Sequence, residues 1–141
     1  MKKFELTSET KINIFGKKLF RIKALISFGN VEAGETGGWV EKEENVNQSG
    51  DAWVFGNAEV FGNARVFGNA DYATIHGFGT QFRTTTFFRC KDKQVKVSCG
   101  CFYGTIPEFR EQVKNTRKGK IAEEYLMIAD LMEKHFAEEA K

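Results

Sequence analysis

Three groups of residues have chemistry to offer: two histidines, three cysteines, and a basic stretch that leads into a helix start. A histidine acting as general base needs a group to deprotonate and, in most such sites, a carboxylate that holds its ring. His76 has no recognisably paired carboxylate, and His135, between Lys134 and Phe136, reads as a surface residue. Cys90, Cys99 and Cys101 would bring thiols together if residues 84–99 fold back as a hairpin. Cys-x-Cys is not the spacing of a zinc knuckle, so small buried thiols are the plainer reading. No metal and no other cofactor is expected.

The third group is the candidate site. Gly100-Cys101-Phe102-Tyr103-Gly104-Thr105 runs straight into a helix N-terminus, where unpaired N–H groups and the helix dipole attract anions. Arg83 and Arg89 belong to the most basic block of the chain, residues 81–120, with ten basic and three acidic side chains. Arginine, with its planar fork, suits phosphate better than lysine does. Arg83, Arg89, Gly100, Tyr103, Gly104 and Thr105 are therefore the candidate residues for an anionic or nucleotide-like ligand, with an aromatic ring to stack on a base. The motif is not a P-loop, because no Gly-Lys-Ser/Thr follows. The rival reading is that both arginines pair with the acidic terminal helix.

Local signals place these groups on elements. Lys11–Phe15 and Lys18–Leu25 alternate around Gly16-Lys17, which predicts an antiparallel hairpin with Phe20, Ile22 and Ala24 on one face. Thr84–Cys90 and Val95–Cys99 flank the turn at residues 91–94 and predict a second hairpin. Thr105, with Pro107 in the first turn and Glu108 three residues on, is a capping-box signature for a helix running to about Asn115. Ile121, Tyr125, Ile128, Met132 and Phe136 form an apolar stripe on a second helix, which should dock.

Between the hairpins one phrase is repeated: Ala52-Trp53-Val54-Phe55-Gly56-Asn57, Ala58-Glu59-Val60-Phe61-Gly62-Asn63, Ala64-Arg65-Val66-Phe67-Gly68-Asn69. A period of six does not fit a helix. Ala and Val two apart share one face of a short strand, Trp53, Glu59 and Arg65 face out, and Gly-Asn turns a corner. On this reading Val54, Ala58, Val60, Ala64 and Val66 point inward. Phe55, Phe61 and Phe67 point outward, one per side of a triangular coil, and need covering. They are the candidate interface residues.

The phrase resembles the hexapeptide repeat of left-handed parallel β-helices, well over residues 46–72. The wider order of motifs, from Arg21-Ile22-Lys23-Ala24-Leu25 through Gly37-Gly38-Trp39-Val40-Glu41 to Cys-Gly-Cys and a terminal helix, resembles small hexapeptide-repeat proteins of phages and prophages. The fold then expected is mainly β with C-terminal helices: an N-terminal β-hairpin, a left-handed parallel β-helix of about two coils, a second β-hairpin and two α-helices. The corresponding regions are 1–38, 39–76 and 77–141. The resemblance also implies a homo-oligomer, a trimer by preference. Acyltransferases built on such coils rely on a histidine, which makes acyl transfer the enzymatic alternative.

The net charge of +2 carries no strong nucleic-acid signal, and no stretch has the apolar length of a membrane span. The odd cysteine count and the absence of a signal-peptide pattern point to a reducing, cytoplasmic setting in a bacterial host. The expected function is a non-catalytic, oligomeric binding protein of a phage or mobile element, acting on a host protein or sequestering a nucleotide-like small molecule. A structural, self-assembling protein is the remaining alternative.

Overall fold

The computed structural model describes residues 2–13, 15–68, 71–79, 83–99 and 102–137, with the backbone alone at position 83. Eight strands and two helices follow one another as β1 (Phe4–Ile12), β2 (Lys18–Ala24), β3 (Thr36–Val40), β4 (Glu59–Val60), β5 (Tyr72–Phe78), β6 (Arg83–Arg89), β7 (Val95–Cys99), β8 (Phe102–Thr105), α1 (Ile106–Thr116) and α2 (Gly119–Phe136). The strands form two four-stranded sheets, ordered β1-β2-β3-β4 and β5-β6-β7-β8. The second sheet is antiparallel throughout, and the first is antiparallel except for β3 with β4. The chain is thus mainly β with two C-terminal helices.

The first hairpin turns at Gly16, whose φ of +78° only glycine adopts readily. Asn13 Oδ1 braces the turn, accepting the N–H groups of Phe15 and Lys17 at 3.0 Å each. β1 starts at Phe4, seven residues before the strand that alternation predicts. In β2 the fully buried side chains are Leu19, Ile22 and Ala24, while Phe20 is only half-buried.

The repeated segment is not a left-handed parallel β-helix. Among its described residues the one strand is the two-residue β4, and the parallel pairing seen there joins Trp39–Val40 with Glu59–Val60 and Val46 with Val66. The Gly-Asn corners do turn, with Gly56 and Gly62 at positive φ. The sides between them are too short to carry a ladder, and other segments take their backbone groups. Ala64 bridges Cys90 in antiparallel sense, Arg65 N–H donates to Arg89 O at 2.9 Å, and Lys91 N–H donates to Asn63 O at 2.7 Å. The repeat therefore joins the first sheet to the second instead of stacking on copies of itself.

Val54, Ala58, Val60, Ala64 and Val66 are fully buried, as the alternation requires. Two positions reverse. Trp53, expected to face out, has no exposed surface and packs edge-on against Phe4 and Phe28, with centroids 6.0 and 5.3 Å away. Phe61, also expected outside, is covered within the chain by Phe15, Phe88 and Tyr103. Phe55 and Phe67 do remain exposed.

Close approach of β3 to the repeat explains Gly37-Gly38. A Cβ on Gly37 would lie 2.6 Å from Val54 O and 2.7 Å from the Trp53 ring, and one on Gly38 would lie 2.8 Å from Ala58 O. Lys3 ties the N-terminus to the same region by donating from Nζ to Ala52 O at 2.6 Å. Burial lowers its pKa below the ordinary lysine value, against the opposing pull of Asp51.

The second sheet has two unlike faces. Ala73, Ile75, Phe87, Val95 and Val97 face the helices, where Phe109, Val113, Tyr125, Ala129, Met132 and Phe136 complete a second core. The predicted helical stripe is borne out, with Tyr125, Ile128, Met132 and Phe136 buried and Ile121 partly so. The other face carries Phe88 and Tyr103 against the repeat, then turns polar along Thr84, Thr86, His76 and Ser98. No helix of the described residues is long and apolar enough to cross a membrane.

Candidate ligand-binding cleft

The predicted anion site is only partly assembled. Gly100 and Cys101 lie outside the described residues, as does the Arg83 side chain. The capping box is present: Glu108 N–H donates to Thr105 Oγ1 at 3.3 Å, and Thr105 N–H and Oγ1 donate to Glu108 Oε1 at 2.8 and 3.0 Å. These donors hold the Glu108 carboxyl below the usual carboxylate range. The chain's own carboxylate thus occupies the helix start, and Pro107 contributes no N–H. Gly104 is there for packing, since a Cβ would meet Glu108 Oε1 and Phe102 Cζ at 2.9 Å. Tyr103 turns the other way, into the cluster with Phe15, Phe61 and Phe88. Burial pushes its hydroxyl pKa up to about 12, with smaller contributions from Cys90, Glu41 and Asp92.

Arg89 and Thr105 do line one hollow of about 500 Å³, together with Lys93, Gln94 and Phe136. Arg89 is engaged there by the protein itself. Its Nε meets Asp71 Oδ1 at 3.0 Å, and Nη2 donates to Phe136 O, the last carbonyl of α2, also at 3.0 Å. A cation at a helix C-terminus satisfies an orphan carbonyl and the dipole together. Arg89→Ala is accordingly expected to lower stability by about 2 kcal/mol, read as a shift of the urea midpoint at unchanged slope. An unchanged midpoint would defeat this structural role.

A different set of groups converges between the sheets. Lys11, Ile12, Asn13 and Phe15 from the first hairpin, Asn57 and Glu59 from the repeat, and His76, Thr84, Thr86 and Ser98 from the second sheet line a cleft of about 490 Å³. Strand register explains the floor. Thr86 is paired with Ser98 and His76 with Thr84, so these side chains project on one face of three neighbouring strands. His76 Nδ1 lies 2.8 Å from Thr84 Oγ1, and Thr86 Oγ1 accepts Glu59 N–H at 3.3 Å. That last bond joins the edge of the first sheet to the face of the second.

The opposite wall is a cross-strand ladder on the first sheet. Lys11 Nζ sits 2.9 Å from Glu59 Oε2 and 4.4 Å from the Trp39 ring centroid. Arg21 stacks on the same ring at 4.4 Å, bonds Glu9 at 3.2 Å and donates to Gly37 O at 2.8 Å. The ring is thus held by two cations, each with its own carboxylate. The arrangement fixes Lys11 and Glu59 at the mouth of the cleft.

Cys90, beyond this wall, is buried, and burial, then Asp92, pushes its thiol up to about 11. It is therefore a protonated thiol near neutral pH rather than a thiolate nucleophile. Among the described residues no three His, Cys, Asp or Glu side chains cluster as a metal site would require.

No protein-family model matches the chain, and no curated protein matches it in sequence. With the β-helix absent as well, the hexapeptide-repeat and phage-type resemblance does not hold. The host-directed role it suggested loses its ground with it. The homo-oligomer, a trimer by preference, rested on the same resemblance; of its candidate interface residues Phe61 is covered by its own chain, whereas Phe55 and Phe67 stay exposed.

His76 is the one lining residue of the cleft that sequence reasoning singled out. The strand propensity of Thr84–Cys90 was readable, but nothing local says that the face carrying Thr84 and Thr86 opposes Lys11 and Glu59.

Proposed function

We propose that this protein is a non-catalytic binding protein whose ligand seat is the cleft between the two sheets. The observation that carries the reading is the convergence there of an ammonium, a carboxylate, an imidazole, two amides and three hydroxyls from both sheets, around a volume typical of small-molecule sites. The reading is non-catalytic because the groups that would do chemistry are engaged with one another. Glu59 is neutralised by Lys11 and His76 meets Thr84, so the partner that orients the imidazole among the described residues is a hydroxyl and not a carboxylate.

The test is a fragment screen by ¹H–¹⁵N correlation spectra of the full chain. Fragments that bind are expected to move the amides of His76, Thr84, Thr86 and Ser98 together. Shifts confined to residues around Arg89 and Thr105 would place the site in the other hollow, and a screen without saturable shifts would remove the binding reading.

A further inference from the structure

We infer that the cleft takes a neutral, polyhydroxylated ligand, a sugar or a polyol, an inference that rests on the cleft being the ligand seat. Charge is the first argument. The ammonium and the carboxylate that line the cleft face each other at 2.9 Å, so among the described lining residues no lysine or arginine is left over as a surplus cation. A phosphate or nucleotide needs such a surplus, usually as arginine forks or free N–H groups at a helix start. In this chain Arg89 and the α1 start are both occupied by protein groups.

The kind of polar group is the second argument. Asn13, Asn57, Thr84, Thr86 and Ser98 are neutral, and amides and hydroxyls each both donate and accept. That matches a ligand whose own groups are hydroxyls with the same dual character. A carboxylate accepting from one ligand hydroxyl beside an ammonium donating to the next suits a vicinal diol, and Lys11 and Glu59 supply that pair with both side chains still partly exposed.

Shape is the third argument. Sugars present C–H faces as well as hydroxyls, and need an apolar surface on one side. Ile12 and Phe15 supply it at the rim, and Ile12 is 73% exposed. The open Ile12 side chain gives such a C–H face an apolar surface to rest on. A purely apolar ligand would instead desolvate the hydrogen-bonding capacity that the floor hydroxyls retain beyond their bonds to His76 and Glu59, which is costly.

The experiment titrates ¹⁵N-labelled full chain, into the millimolar range, with glucose, N-acetylglucosamine, maltose and myo-inositol, and separately with inorganic phosphate and AMP. At least one of the four neutral probes is expected to move the amides of His76, Thr84, Thr86 and Ser98 saturably. Glu59→Gln, which keeps the shape but removes the charged acceptor, should weaken that binding about tenfold. His76→Ala, at an exposed position, serves as the second variant should Glu59→Gln unfold. If phosphate or AMP alone moves those amides, the polyol inference is overturned while the cleft survives. If the probes act only on amides outside the cleft, the inference and the site both fall. Spectra unmoved by all four neutral probes overturn the inference, and the fragment screen then decides the site independently.

Discussion

Trp53→Ala is expected to lower the unfolding free energy by about 3–5 kcal/mol. The indole is fully buried at the centre of the first core, between Phe4 of β1 and Phe28 of the loop after β2. Its ring also faces Gly37, at a distance that leaves no room for a Cβ on that residue. Truncation would therefore open a cavity whose walls are backbone on one side and two aromatic rings on the other, a poor site for collapse. Equilibrium denaturation followed by far-ultraviolet circular dichroism measures it, since the remaining Trp39 would confound a fluorescence comparison. A loss under about 1 kcal/mol would mean that the indole is solvated, as the repeat pattern alone implies.

Asn45→Ala is expected to cost about 3 kcal/mol, because it removes four side-chain bonds to backbone groups at once. Glu41 N–H keeps Val60 O and Ala64 O keeps Arg65 Nη1, so the loss falls mainly on Lys42 N–H and Gly62 O. Asn45 has no exposed surface. Its Oδ1 accepts the N–H groups of Glu41 and Lys42 at 3.1 and 3.0 Å, and its Nδ2 donates to the carbonyls of Gly62 and Ala64 at 3.2 and 3.1 Å. The side chain substitutes for a strand between two irregular segments, giving each the partners that a sheet would otherwise provide. Asn45→Asp separates donors from acceptors. It keeps the two accepted bonds but turns a carboxylate toward two carbonyls. Burial and those carbonyls raise the pKa of the new carboxyl in the folded state, so the loss should grow as pH rises above the ordinary aspartate value. Equal losses at acid and neutral pH would sink this account of the site.

Both substitutions fall where local patterning and tertiary packing part company. The signals that held were local ones. Thr105 and Glu108 cap α1 because the four atoms involved lie within one helical turn. The α2 stripe is buried because a helix places residues three and four apart on one face whatever it meets. Residues 84–99 form a hairpin because two β-prone runs flank a turn, at which Lys93 takes up a positive φ.

The repeat shows the limit of such reasoning. Its period states that each unit turns a corner and hides an Ala and a Val; the corners at Gly56 and Gly62 turn, and the Ala and Val of all three units are buried. The period does not state what lies against the unit's backbone. Asn63–Arg65 could pair with another coil or with a distant strand, and the hydrogen bonds are equivalent. The contest went to Arg89–Lys91, 26 residues along, because Phe88 and Tyr103 arrive with that segment and cover Phe61. Trp53 likewise occupies the outward slot of its unit, but β1 and the loop after β2 fold over that slot and bury it.

The local patterns of the sequence, then, yielded part of the inventory of elements, though not strands β3, β5 and β8: the two hairpins, the capped helix, the docking stripe, and the inward Ala and Val positions of the repeat. Each depends on atoms within a few residues of one another, and neighbouring residues carry that information. Tertiary structure alone decided the cleft. Lys11, Glu59, Thr84 and Ser98 are far apart in the chain, and they meet because the edge of one sheet comes to rest on the face of the other, through Glu59 N–H and Thr86 Oγ1. That contact is non-local, and no spacing along the chain encodes it.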